Sequence, residues 1–185
     1  MTLSLPPSPI VRCLVGNPKP RSRTLRAAAA VGEAIARSTG GRVDEVVDLI
    51  EMRSVLFDIG DATVKALISR LLESAVIVVA SPVYKASYSA VLKAFFDHVG
   101  AGQLAGRLAV PMMVGGAPGH TLAVEAHLRP MLVEVGATTV TPGLYVLESE
   151  IESIDAIAAA YVAGLRLRVD EREAQASGQG AYLRR

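Results

Sequence analysis

The sequence predicts an α/β fold in which a parallel sheet is covered by helices on both faces. Three observations carry this. Uninterrupted apolar runs recur along the chain, above all Ala75 to Ala80 and Leu108 to Val114, and strands without polar alternation are those buried on both faces. Amphipathic or Ala-rich stretches of helical length separate the runs, and that alternation builds parallel sheets. Three of the runs end in loops that open a helix, the place where open parallel sheets bind ligands.

Taken in order, strand 1 is expected at Val11 to Val15, and helix 1 from Ser22 to Arg37, with Ser22 or Thr24 as a natural N-cap. Strand 2 falls around Val43 to Leu49, and a connection follows from Ile50 to Gly60. Helix 2 is placed at about Ala62 to Glu73, strand 3 at Ala75 to Ala80, helix 3 at Tyr88 to Val99 and strand 4 at Leu108 to Val114. Helix 4, Thr121 to Val135, strand 5, about Thr138 to Val146, and helix 5, roughly Ser153 to Arg172, complete the series. Pro111 fits a strand interior poorly, since it has no N–H for the ladder, so strand 4 is expected to begin later or to carry a bulge. Right-handed crossovers restrict the topology. Strands in this rhythm best suit a flavodoxin-like three-layer sandwich with a five-stranded parallel sheet in the order 2-1-3-4-5.

The 185 residues suit one domain with a sizeable core, ending in a polar tail after about residue 172. A net charge of +1, with basic residues scattered outside the first loop and the tail, argues against a nucleic-acid surface. The one cysteine, Cys13, lies within an apolar run and reads as a small buried hydrophobe. No segment approaches the roughly 20 apolar residues of a membrane span, and no leader pattern opens the chain, so a cytoplasmic protein is expected.

The first loop, Gly16 to Thr24, offers Asn17, Lys19, Arg21, Ser22, Arg23 and Thr24 just before a helix N-terminus. Unpaired N–H groups and the helix dipole stabilise a phosphate there, and the three cations strengthen that field. The middle loop, Ser81 to Ser89, carries hydroxyls and the aromatic ring of Tyr84; Pro82 keeps Ser81 extended. The third, Gly115 to His120, has glycines through which backbone amides approach a ligand closely. Neither the G-x-G-x-x-G fingerprint nor a P-loop is present. Together the loops suit a flat, polar-edged cofactor.

With these three loops and the run Ala90-Val91-Leu92-Lys93, the chain resembles the NAD(P)H-dependent FMN reductases of the flavodoxin-like superfamily, over about Val11 to Val146. It is most similar to the branch that supplies reduced flavin to sulfonate-degrading monooxygenases. The resemblance implies FMN and NADPH or NADH as cofactors, with hydride passing from nicotinamide to the flavin N5. It implies Asn17, Lys19, Ser22, Arg23 and Thr24 around the flavin phosphate, and Pro82, Val83, Tyr84, Lys85 and Ser87 along the ribityl chain and ring. Gly115, Gly116 and Ala117 then border the ring on its other side. No nucleophile and no metal are implied, and His120 is the single candidate for assisting proton transfer, against a purely local hydrogen bond. A homodimer or homotetramer and a flavin-dependent monooxygenase partner are implied as well. Helix 4 of that branch often carries an inserted tyrosine near an assembly interface, and here Ala126-His127 occupy the corresponding neighbourhood.

Other readings share the fold. A flavodoxin-type carrier commonly sandwiches its ring between aromatics and bears an acidic face, whereas this chain lacks Trp and is near neutral. An FMN-containing quinone, azo-dye or metal-ion reductase would use the same ring with another acceptor. His98 and His127 lack metal-ligand spacing and read as structural. Lys93 and Asp97 read as a surface pair four residues apart. The stretch Met52 to Phe57 is a candidate for self-association.

Overall fold

The computed structural model describes residues 3–169. Its central sheet comprises β2 (Ile10–Val15), β3 (Arg42–Asp48), β4 (Val76–Pro82), β5 (Leu108–Gly115) and β6 (Leu144–Leu147), preceded by a short β1 (Leu3–Leu5). The sheet is parallel throughout, in the order β3-β2-β4-β5-β6, which is 2-1-3-4-5 when its own strands are counted along the chain. Every residue of β4 and β5 is buried, as their unbroken apolar runs require.

The helices are α1 (Arg23–Thr39), α2 (Ala62–Leu72), α3 (Ala90–Phe96), α4 (Arg129–Glu134) and α5 (Ile154–Gly164). Strand side chains alternate between two cores. Val11, Cys13, Val15, Val76, Val78 and Ala80 pack with α1 and α5, while Leu14, Ile77, Val79, Ala109 and Met113 pack with α2, α3 and α4. Small residues bring α1 down onto the sheet: a Cβ on Gly32 would stand 2.6 Å from Cys13 Sγ. Ser22 caps this helix by accepting the Leu25 amide at 3.2 Å, and Gly40 ends it in the left-handed conformation at φ 64°.

The structure corrects several expectations. Strand 4 neither starts late nor bulges, because β5 runs through Pro111 in continuous register with β4. The Ala109 amide donates away from β4, to Thr138 O at 2.9 Å, and Pro111, two residues on, faces that same side before the β6 ladder begins at Met112. Its missing N–H therefore breaks no bond. Strand 5 is shorter than Thr138 to Val146, since Thr138 makes only an isolated bridge to Leu108 and β6 starts at Leu144. Helix 3 is trimmed to Ala90–Phe96 by the Ser89 cap.

Helix 4 is not continuous. A 3-10 turn (Pro118–His120) is followed by a π turn (Val124–Leu128) before α4. Pro130 has no N–H to offer the Ala126 carbonyl, and the Arg129 amide reaches back to Val124 O instead, which is π spacing. Helix 5 stops at Gly164, well short of Arg172, and the chain re-enters an extended segment, β7 (Leu167–Val169), parallel to β1. The predicted polar tail after residue 172 lies outside the described residues.

Cys13 is buried, with Sγ 3.3 Å from Ala28 O, and burial pushes its thiol from 9.0 up to about 12. Tyr161 is likewise pushed by burial from 10.0 to about 12. In both, the folded state holds the proton longer than the unfolded chain. Their contribution is complete below pH 9.0 and lost as pH rises through about 12, so stability falls across that alkaline window. Denaturant unfolding across alkaline pH is expected to show this decline, and Cys13→Ala to flatten its lower part. An equal slope in wild type and variant would show that the thiol is not its source.

Candidate functional site

The first loop closes on itself before α1 begins. Asn17, only 6% exposed, donates from Nδ2 to Thr24 Oγ1 at 3.0 Å and accepts the Lys19 amide on Oδ1 at 2.9 Å, tying loop to helix. Arg21 sits at φ 51°, a left-handed conformation that costs a non-glycine residue, and its amide donates to Asp48 Oδ2 at 3.2 Å. Asp48 is buried at the end of β3, and its Oδ1 has no partner among the described residues. Burial pushes its carboxyl above the ordinary carboxylate range, opposed by amide bonds from Arg21 and Ile50. Asp48 thus holds the loop's strained residue in place.

This arrangement leaves the amides of Ser22, Arg23 and Thr24 without an acceptor among the described residues, and the first turn of α1 contains no acid. Lys19, Arg21 and Arg23 are exposed around them. A dianionic group is favoured at such a place by dipole, donors and charge together.

The middle loop is fixed by two buried serines. Ser81 Oγ accepts the Ser89 amide at 2.9 Å and donates to Pro82 O at 2.9 Å. Ser89 Oγ donates to Gly16 O at 2.5 Å and accepts the Leu92 amide at 3.2 Å, so one hydroxyl joins the first loop to α3. Between them Tyr84 and Ser87 exchange backbone bonds at 2.8 and 3.0 Å across a tight turn. Lys85 and Ala86 occupy its corners at φ 51° and 63°, where glycine would be at ease. The turn leaves Tyr84 44% exposed.

In the third loop β5 ends at Gly115, where a Cβ would lie 2.2 Å from Tyr145 Oη. That hydroxyl donates to Ala117 O at 2.6 Å and so fixes the loop's course past Gly116, around which space is open. His120, exposed at the end of the 3-10 turn, stands outside the cavity described next.

A cavity of about 280 Å³ lies at the carboxyl edge of the sheet and gathers Asn17, Lys19, Ser22, Arg23, Thr24, Pro82 and Tyr84. It also takes in Pro20 and Arg21 of the first loop, Arg21 being one of the three cations expected there, together with Val114 and Glu148, which the sequence did not point to. Val83, Lys85, Ser87, Gly115, Gly116 and Ala117 do not line this cavity. They form the adjoining loops, joined to it through Val83 N, which donates to Val114 O at 2.8 Å. Glu148, the first residue after β6, pairs with Arg23 at 3.0 Å. Its position directly after a strand was the available signal, since the expected end at Val146 lies one residue from the observed end at Leu147.

A larger cavity, about 480 Å³, opens at the opposite edge beside Ser4–Ile10. Its charged groups are engaged elsewhere: Glu73 with Arg12 at 3.4 Å, and Arg107 with Ser74 O at 3.0 Å. The remaining histidines are structural or peripheral. His98 bonds through Nε2 to Leu56 O at 2.9 Å and receives the Gly60 amide at 3.4 Å, whereas His127 is exposed on the π turn. Lys93 and Asp97 do form a half-exposed surface pair. Among the described residues no three His, Cys, Asp or Glu side chains converge as a metal site.

The sequence model of the NADPH-dependent FMN reductase family matches residues 10–152, which span the sheet and all three loops. The chain belongs to that family. An FMN reductase (NADPH) of Escherichia coli is 36% identical over 75 residues, 40% of this chain and 39% of that protein. The chain's match thus spans well under half the length of this relative. An NADH-dependent FMN reductase, SfnE, of Pseudomonas putida is 28% identical over 86% of this chain and 88% of its own length. The crystal structure of an NADH:FMN oxidoreductase in its apo form superposes with a TM-score of 0.77 at 25% identity, covering 85% and 88% of the two chains. That structure shares its fold with most of this chain.

Proposed function

We propose that this protein is an NAD(P)H-dependent FMN reductase, in which NADPH or NADH and a proton reduce FMN to its dihydro form. The observation that carries this is the cavity at the carboxyl edge, where acceptor-less amides of α1 and three cations meet the exposed Tyr84. That donor set fits a phosphate monoester, and the open loops beside it fit a planar ring. When bound, the flavin supplies the hydride-accepting chemistry.

In this reading Asn17, Lys19, Ser22, Arg23 and Thr24 hold the phosphate. Pro82, Val83, Tyr84, Lys85 and Ser87 follow the ribityl chain and ring, and Gly115, Gly116 and Ala117 border the ring's far side. The protein's contribution is to bring donor and acceptor atoms to about 3 to 3.5 Å. The Tyr88 amide, next to Ser87 and with no acceptor among the described residues, stabilises charge that develops on the ring. The whole chain acts as one flavin-binding domain. It works as a homodimer or homotetramer in the cytoplasm and hands reduced flavin to a flavin-dependent monooxygenase. The relatives named for NADPH and for NADH support either donor. Leu122 and Val133, 75% and 56% exposed around the π turn and α4, support self-association.

The test is anaerobic mixing of purified protein with excess FMN and NADPH, then NADH, while flavin absorbance is followed. Bleaching over many turnovers is expected. Bleaching of a single bound equivalent would favour an FMN-containing quinone or azo-dye reductase, and none at all, with binding intact, a carrier.

A further inference from the structure

Resting on the FMN reading, we infer that Glu148 limits the flavin's residence: it competes with the phosphate for Arg23 and keeps the site exchangeable. Among the described residues Glu148 is the one carboxylate lining the cavity, and its Oε2 stands 3.0 Å from an Arg23 guanidinium nitrogen. Both side chains are about half exposed, at 56% for Arg23 and 43% for Glu148, so the pair is accessible to an incoming anion.

Glu148 is not a loosely placed surface charge. The turn that bears it is tied four residues on, where Arg26 of α1 contacts Glu152 through two nitrogens at 2.9 and 3.1 Å. It is tied again where the Leu147 amide donates to Glu150 Oε2 at 3.0 Å. These bonds fix the turn beside the start of α1 and so place Glu148 next to Arg23.

The charge balance follows from the lining. Among the described residues lining the cavity, Lys19, Arg21 and Arg23 face one acid, Glu148, while Asp48 is buried behind the loop against the Arg21 amide. A phosphate monoester brings about −1.5 to −2 charges at neutral pH, which Glu148 must either face as a like charge or yield to at Arg23. Either course lowers affinity. A site meant to retain flavin permanently gains nothing from this acid, whereas one that releases reduced flavin for use elsewhere does.

Titration of flavin fluorescence tests this. Glu148→Gln removes the charge with little change of shape, and its Kd for FMN is expected to fall about threefold to tenfold, the scale of a partly exposed ion pair acting on a charged ligand. Riboflavin, which lacks the phosphate, is expected to bind the variant and wild type equally. In an Arg23→Gln background the gain from Glu148→Gln is expected to shrink, because the competition has lost its object. Glu148→Ala, checked for an unchanged melting temperature, provides a second removal of the charge. Unchanged or weaker FMN binding in both variants, or equal tightening of riboflavin, would overturn the inference while leaving the FMN reading intact. Wild-type protein that binds no FMN would overturn that reading itself, and the inference with it.

Discussion

Gly16→Ala is expected to cost about 3 kcal/mol, since overpacking at an unyielding contact is destabilising on that scale. The added Cβ would stand 2.4 Å from Leu92 Cβ, 2.7 Å from its Cα and 2.8 Å from its N, and two of those atoms are backbone. No rotamer change relieves such a contact. Gly16 also donates its amide to Ala80 O at 2.9 Å and accepts from Ser89 Oγ, so moving it pulls the end of β2 from β4 and the first loop from the second. A melting temperature lower by on the order of 10 °C is expected for a chain of this size. Weaker FMN binding should accompany it. A variant with wild-type melting and affinity would show that α3 can withdraw from β2 at no cost.

Ser89→Ala is expected to cost about 2 kcal/mol, combining a lost helix cap with a buried carbonyl left unsatisfied. The side chain is 1% exposed and serves two partners at once, donating to Gly16 O and accepting from Leu92 N. Its own amide bond to Ser81 Oγ survives the change. The defect is therefore confined to the junction of the first two loops with α3. Urea unfolding measures the loss directly. FMN titration is expected to show weaker binding even where the protein remains folded, because the two loops no longer share a fixed separation. A midpoint within experimental error of wild type would mean that water replaces the hydroxyl at both partners.

The parts of this fold that were legible in the sequence are those where one physical signal dominates. The runs forming β4 and β5 are apolar because both faces are covered, and the residues that end them have little reason to be there except as loops. The capping role of Ser22 and the convergence of Asn17, Lys19, Arg23 and Thr24 followed from their place before a helix. Other features depend on partners distant in sequence. Asp48 holds Arg21 across a separation that no local pattern encodes, and Glu148 reaches the cavity only because β6 runs beside β5. The π turn escaped notice because periodicity tolerates one extra residue, although Pro130 marked the place. The strands β1 and β7 are three residues each, too short for a periodic signal.

The parallel pairing of β1 with β7 has a practical consequence for handling the protein. Leu3 lies opposite Leu167 and Leu5 opposite Val169, beside the starts of β2, β4 and β5, while the cavity proposed for FMN is at the other end of those strands. A tether attached through either segment, to an electrode, a bead or a fused carrier, would present the three loops and their cavity outward and leave them open to ligands.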